Sequence, residues 1–193
     1  MTTFLIMLAV AMVLYWAYTI AVFKLFGIPE SYSDTFYKFN EIHKYLGVMF
    51  PILLVATTFL VMPGWLVVSD AILPSLSFLA FFGGGGLLFV AVAPFFKEYT
   101  RDTGRPLIDM LWRHLHGQGL VHMIGALMSM FGVAIWTANS PFWWILVLVL
   151  VIGIICAVCT KTYKKPIFWV EFVIFNSIHF SMLTAYIYAI INA

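Results

Sequence analysis

Charge is what this sequence has least of: only 9% of its 193 residues are Asp, Glu, Lys or Arg, against 64% that are hydrophobic. Soluble domains carry about a quarter charged residues, so a soluble fold is excluded and an integral membrane protein follows. Lysine and arginine are missing altogether from residues 1–23, 45–96, 114–160 and 166–193. Cysteine is nearly absent too. Cys156 and Cys159 form a C-x-x-C inside an apolar run. A reducing compartment and the lack of a second pair make them packing residues rather than a redox couple. The N-terminal run has no positive n-region and no small-residue cleavage site, and reads as a retained span.

What is there is apolar length. A spanning helix needs about 20 mainly apolar residues. Six runs qualify, at about 3–26, 45–62, 72–95, 118–137, 141–160 and 166–191. The expected fold is an all-α membrane protein, a single transmembrane domain over 1–193 built as a bundle of six helices. Breakers set its turns: Gly27-Ile28-Pro29 ends the first span, Met62-Pro63-Gly64-Trp65 is expected to close the second, and Asn139-Ser140-Pro141 opens the fifth with Ser140 as N-cap. In the first loop, Ser31, Ser33 and Asp34 are expected to cap a short interfacial helix with Phe36, Tyr37 and Phe39 in the headgroups.

All ten lysines and arginines fall in alternate loops: Lys24, Lys38 and Lys44 at the first, Lys97, Arg101, Arg105 and Arg113 in the third, Lys161, Lys164 and Lys165 in the fifth. So complete a bias places these loops in the cytoplasm by the positive-inside rule. The expectation is N-out and C-out in a bacterial inner membrane, with three helical hairpins and polar loops inside. The basic clusters suit membrane lipids as partners. They give no nucleic-acid signal; a homo-oligomer or a membrane protein partner is left open.

Glycine is concentrated rather than scattered. Gly83, Gly84, Gly85 and Gly86 interrupt the third span, and Gly125, Ser129 and Gly132 form a small-residue surface on the fourth. Close approach of two helices is the expected use of both.

Ionisable groups in spans are expensive and therefore functional candidates. His122, Glu171, Asn176 and His179, with His43 at the start of the second span, are the candidates for a cytoplasm-facing polar cavity. Each also has a plainer reading, the histidines bonded to a neighbouring helix and Glu171 snorkelling or paired with a lysine. Phe39-Asn40-Glu41-Ile42-His43 and Phe175-Asn176-Ser177-Ile178-His179 share F-N-x-I-H, which hints at an internal repeat. For a metal, the candidates are His122 and His179. His114 and His116 lie about 200° apart on a continuous helix and cannot share an ion. The stretch from Leu107 to Leu115 reads instead as an amphipathic interfacial helix with Asp109 and Arg113 paired.

Phe26-Gly27-Ile28-Pro29-Glu30-Ser31-Tyr32-Ser33-Asp34-Thr35, Ala93-Pro94-Phe95-Phe96-Lys97 and Val121-His122 resemble a family of six-span bacterial membrane proteins with no assigned activity. That resemblance implies the architecture and no chemistry. The functional expectation is a small transporter-like or channel-like protein, or a membrane-embedded ligand-binding protein, leaning away from an enzyme. The alternatives are a metal-dependent, lipid-directed hydrolase using buried histidines and Glu171, and a non-catalytic accessory subunit. The sequence leaves open whether the buried histidines bind a cofactor.

Overall fold

The computed structural model of the chain describes residues 2–94 and 117–191, with 104, 108, 109 and 115. Among these, all regular structure is helical. Five helical stretches are long and apolar enough to cross a membrane: Thr2–Phe26 (α1), Leu46–Ile72, Pro74–Val92, Gly117–Asn139 (α5) and Pro166–Ile191 (α7). The second begins with a 3-10 turn and continues as α3, Met49–Ile72; the third does the same before α4, Phe78–Val92. Two shorter helices complete the set. α2 covers Thr35–Ile42, and α6, Trp143–Cys159, has 17 residues, at the lower limit for a span.

The second helix does not stop at Met62-Pro63-Gly64-Trp65. Pro63 lies inside α3, which runs ten residues past the expected 62 to Ile72. Proline removes a helix hydrogen bond, yet membrane helices tolerate it where neighbours re-pack around the gap. Here both residues after it are fixed by such packing. Gly64 receives the Tyr186 hydroxyl of α7 where a β-carbon would stand, and Trp65 is buried edge-on to Trp136 of α5 at 5.7 Å. The chain turns instead at Leu73, whose N–H donates to Ser69 O at 2.7 Å, and Pro74 begins the next element. At the other turn of that end, Ser140 Oγ accepts from Phe142 N–H at 3.2 Å. α6 therefore starts at Trp143 rather than at Pro141.

α4 and α5 meet backbone to backbone. A β-carbon on Gly86 would lie 2.5 Å from Gly125 O and 2.6 Å from Ser129 N, and one on Gly125 would lie 2.6 Å from Gly86 O. Gly132 approaches Gly83 in the same way. Gly85 differs from its neighbours, with nothing within 4 Å of its β-position.

The first loop folds inward. Gly27, at φ 67°, closes α1 by donating to Phe23 O at 3.1 Å, the left-handed conformation that glycine adopts without strain. The chain then doubles back under the bundle. Ser31, Tyr32, Ser33, Asp34 and Thr35 are all buried, as are Phe36 and Phe39 of α2. This corrects the expected interfacial helix: α2 exists, but Phe39 packs on Tyr18 and Phe26 of α1 rather than in headgroups. Asp34 holds the N-cap position without a side-chain cap bond, and Ser31 Oγ accepts the Asp34 N–H at 3.0 Å. Burial of the aromatic area of Phe39 against those two rings outweighs what the headgroup region offers. Of the expected interfacial helix near Leu107 to Leu115, only Ile108, Asp109 and Leu115 are described, Ile108 and Leu115 being exposed. His114, His116, Arg113 and the third loop's other basic residues lie outside the described residues.

Candidate site: a buried polar lane along the last helix

α7 organises the site because it carries Glu171, Asn176 and His179 into the bundle, groups that a lipid-facing helix would exclude. Pro166 opens the helix, and Phe168 N–H donates to Glu30 O at 3.1 Å. Lys165 donates to Ile28 O and pairs with Glu30 Oε1 at 3.5 Å. These bonds dock the first loop across the start of α7. They also put Glu171 one turn deeper, facing the loop. Its Oε2 accepts the Tyr32 backbone N–H at 2.6 Å. Among the described residues Glu171 pairs with no lysine; its partner there is a buried amide.

Further in, Asn176 and His179 lie three residues apart on one side of α7. Both are about 1% exposed. Asn176 Nδ2 donates to Tyr15 OH at 3.1 Å and to Phe172 O at 2.8 Å. The Tyr15 hydroxyl meets Tyr32 OH at 2.8 Å, and Tyr32 OH meets Thr19 Oγ1 at 3.0 Å. Tyr18 OH bonds to Thr35 Oγ1 beside them. Burial pushes the Tyr32 phenol above its usual range; bonds from Thr19 and Tyr15 oppose the rise, and the nearby Glu171 carboxylate adds to it. Tyr15, Tyr18, Thr19, Tyr32 and Thr35 are the site residues that sequence reasoning missed. A signal existed, because Tyr15, Tyr18 and Thr19 put three polar tips on one face of an otherwise apolar α1.

His179 stands apart from this network. Its ring lies edge-on to Tyr15 at 5.4 Å, and neither Nδ1 nor Nε2 has a hydrogen-bond partner among the described residues. Leaving a buried polar atom unsatisfied costs about 1–3 kcal/mol. The ring lines a cavity of about 30 Å³ against the glycine run, together with Gly83, Gly84, Thr57, Trp65 and Ser129. Thr57 Oγ1 and Trp65 Nε1 are also unpartnered there. A second cavity of about 40 Å³ lies toward the loop end, lined by Glu171, Tyr32, Phe50 and Val90 among others. Leu87, Ser129, Ile174 and Phe175 line both. The two are therefore neighbours along one lane, with Glu171 at one end and Trp65 at the other.

The remaining candidates sit elsewhere. His122 is buried on α5, and its Nδ1 lies 3.1 Å from Ala93 O, the residue that ends α4. It lines neither cavity. His43 is exposed at the end of α2 beside Tyr45, and Asn40 Oδ1 accepts Gly47 N–H at 2.9 Å. The two F-N-x-I-H stretches thus occupy unlike surroundings. Among the described residues no three His, Cys, Asp or Glu side chains converge on a point where an ion could bind. Cys156 and Cys159 are free, the second exposed. Comparison with protein families, curated proteins and solved structures returns no match to this chain.

Proposed function

We propose that this is a small membrane protein of transporter or channel type that admits protons, with their water, into the lane from its basic-loop end. In this reading all six apolar helices span a bacterial inner membrane, both termini lie outside, and the lane opens toward the cytoplasm. The sorting of every lysine and arginine into alternate loops supports that orientation. The observation that carries the function is His179: a fully buried ring with two unpartnered nitrogens, facing a cavity continuous in its walls with the one at Glu171.

Size selects the cargo. Cavities of about 30 and 40 Å³ admit roughly one water each; organic ligands occupy about 300–1,000 Å³. A proton arriving at the Glu171 carboxylate passes by way of water past Ser129 to a His179 nitrogen. Intramembrane chains of acidic and histidine groups serve such relays. The hydrolase alternative needs three converging ligands, whereas His43 and His122 sit apart from the lane that holds Glu171 and His179.

The test is proton uptake by purified protein in liposomes under an imposed potassium potential, read with an internal pH dye. Wild type is expected to exceed protein-free liposomes. His179→Phe should abolish the excess and Glu171→Gln should cut it, each variant being shown to be folded by its cooperative melting. Uptake equal to protein-free liposomes, or unchanged in His179→Phe, rejects the reading.

A further inference from the structure

A groove of about 350 Å³ lies between α6 and α7 beside the loop that joins them. It is almost purely apolar, walled by Gly153, Ile154 and Val158 of α6 and by Trp169, Val170 and Val173 of α7. Its volume is some tenfold that of the cavities in the lane and falls in the range of small-molecule sites. It shares only Ile174 with them.

The loop that closes the groove is built around cations. α6 ends with Thr160, Lys161 and Thr162 donating to Cys156 O, Val158 O and Ala157 O. That wrap requires a left-handed residue, and Lys161 takes it at φ 56°. Glycine is the usual occupant. An L-residue there is strained, and such strain is characteristically kept where the side chain has a use. Lys161 and Lys164 are exposed, and neither forms an ion pair among the described residues; Lys165 is already committed to Glu30. Trp169 Nε1 donates to Thr162 Oγ1 at 3.1 Å, tying the loop to the groove wall. Tyr163 lines the groove and is 61% exposed, placing an amphipathic ring at its mouth.

We infer that this groove is a binding site for an anionic phospholipid, one acyl chain lying between α6 and α7 and the phosphate against Lys161 and Lys164. The apolar walls take the chain, and the two unpaired ammonium groups supply charge complementarity at headgroup depth. A zwitterionic lipid fits the groove but gains less from the lysines. The site is independent of the proton lane.

Native mass spectrometry of the purified full chain tests this, with phosphatidylglycerol and phosphatidylcholine of matched chains in competition. Two surface lysines imply a preference of about thirtyfold for phosphatidylglycerol. Lys161→Gln with Lys164→Gln should bring the preference near unity while a lipid is still retained. Val158→Trp, at a lipid-exposed wall position, should reduce retention of both lipids. Equal retention of the two lipids by wild type overturns the inference, as does a preference unchanged in the double variant. A dimer that carries no lipid and is broken by Val158→Trp assigns the groove to a second copy and overturns it too.

Discussion

The Tyr32 backbone amide donates to the Glu171 carboxylate at 2.6 Å across 139 residues of sequence, so the one acid of the last helix is held by the first loop. Loss of the acceptor leaves the amide buried and unsatisfied. Glu171→Leu should therefore lower stability in detergent by about 1–3 kcal/mol, whereas Glu171→Gln, which keeps a carbonyl acceptor, should cost about 1 kcal/mol or less. Denaturant unfolding followed by tryptophan fluorescence measures both. Equal losses would mean that the bond does not hold the loop.

The glycine run makes a sharper contrast, because its members differ only in what they face. Gly86→Ala places a methyl 2.5 Å from a backbone oxygen of α5, while Gly85→Ala meets nothing within 4 Å. Backbone cannot yield as a flexible side chain does. Gly86→Ala should destabilise the bundle by about 1–3 kcal/mol through overpacking. Gly85→Ala should be neutral or gain up to about 1 kcal/mol from helix propensity. Thermal unfolding of the two variants side by side decides it.

Much of the helical layout is legible in hydropathy, because spans are long and water cannot satisfy their backbone. Glu171, Asn176 and His179 stand out for the same reason: a polar group in an apolar run is visible as an anomaly. The failures are also instructive. Pro63-Gly64 looks like a turn, since local propensity cannot show that the Tyr186 hydroxyl fills the space beside Gly64. The segment from Ser31 to Thr35 looks solvated because its residues are polar, yet its partners on α1 are Tyr15, Tyr18 and Thr19, which a hydropathy scale counts with the apolar background. His122 is expected in the same polar cavity as Glu171, whereas its ring meets the carbonyl of Ala93, which caps α4. Depth in a span does not specify the direction of a side chain.

Trp65 closes the inner end of the lane, its ring tip against Gly83 and its face edge-on to Trp136 at 5.7 Å. If protons use the lane, Trp65 is its barrier. Trp65→Leu should raise proton uptake into liposomes severalfold over wild type, and Trp65→Phe, which keeps a ring, should raise it much less. The Trp65→Leu increase should disappear in a double variant with His179→Phe. A leak that persists there would come from general loosening of the bundle.

Tyr32 gives a pH dependence with a defined sign. Its phenol is held above the ordinary value of about 10, first by burial, so the folded state favours the neutral form. The stability this contributes is complete below about pH 10, where the tyrosine is neutral in the unfolded chain as well. Above that the unfolded tyrosine ionises first, and stability falls as pH rises toward the folded value. Tyr32→Phe removes the hydroxyl together with its bonds to Tyr15 and Thr19. It should be less stable than wild type by about 1–3 kcal/mol at pH 8. The gap should narrow by up to about 1.4 kcal/mol for each pH unit above 10, because only wild type has this group to ionise. Taking the difference between the two proteins cancels lysine titration and the tyrosines remote from Tyr32. Melting temperatures from pH 8 to 11 provide the measurement, and a gap that stays constant would mean that the Tyr32 phenol is not held neutral by the fold.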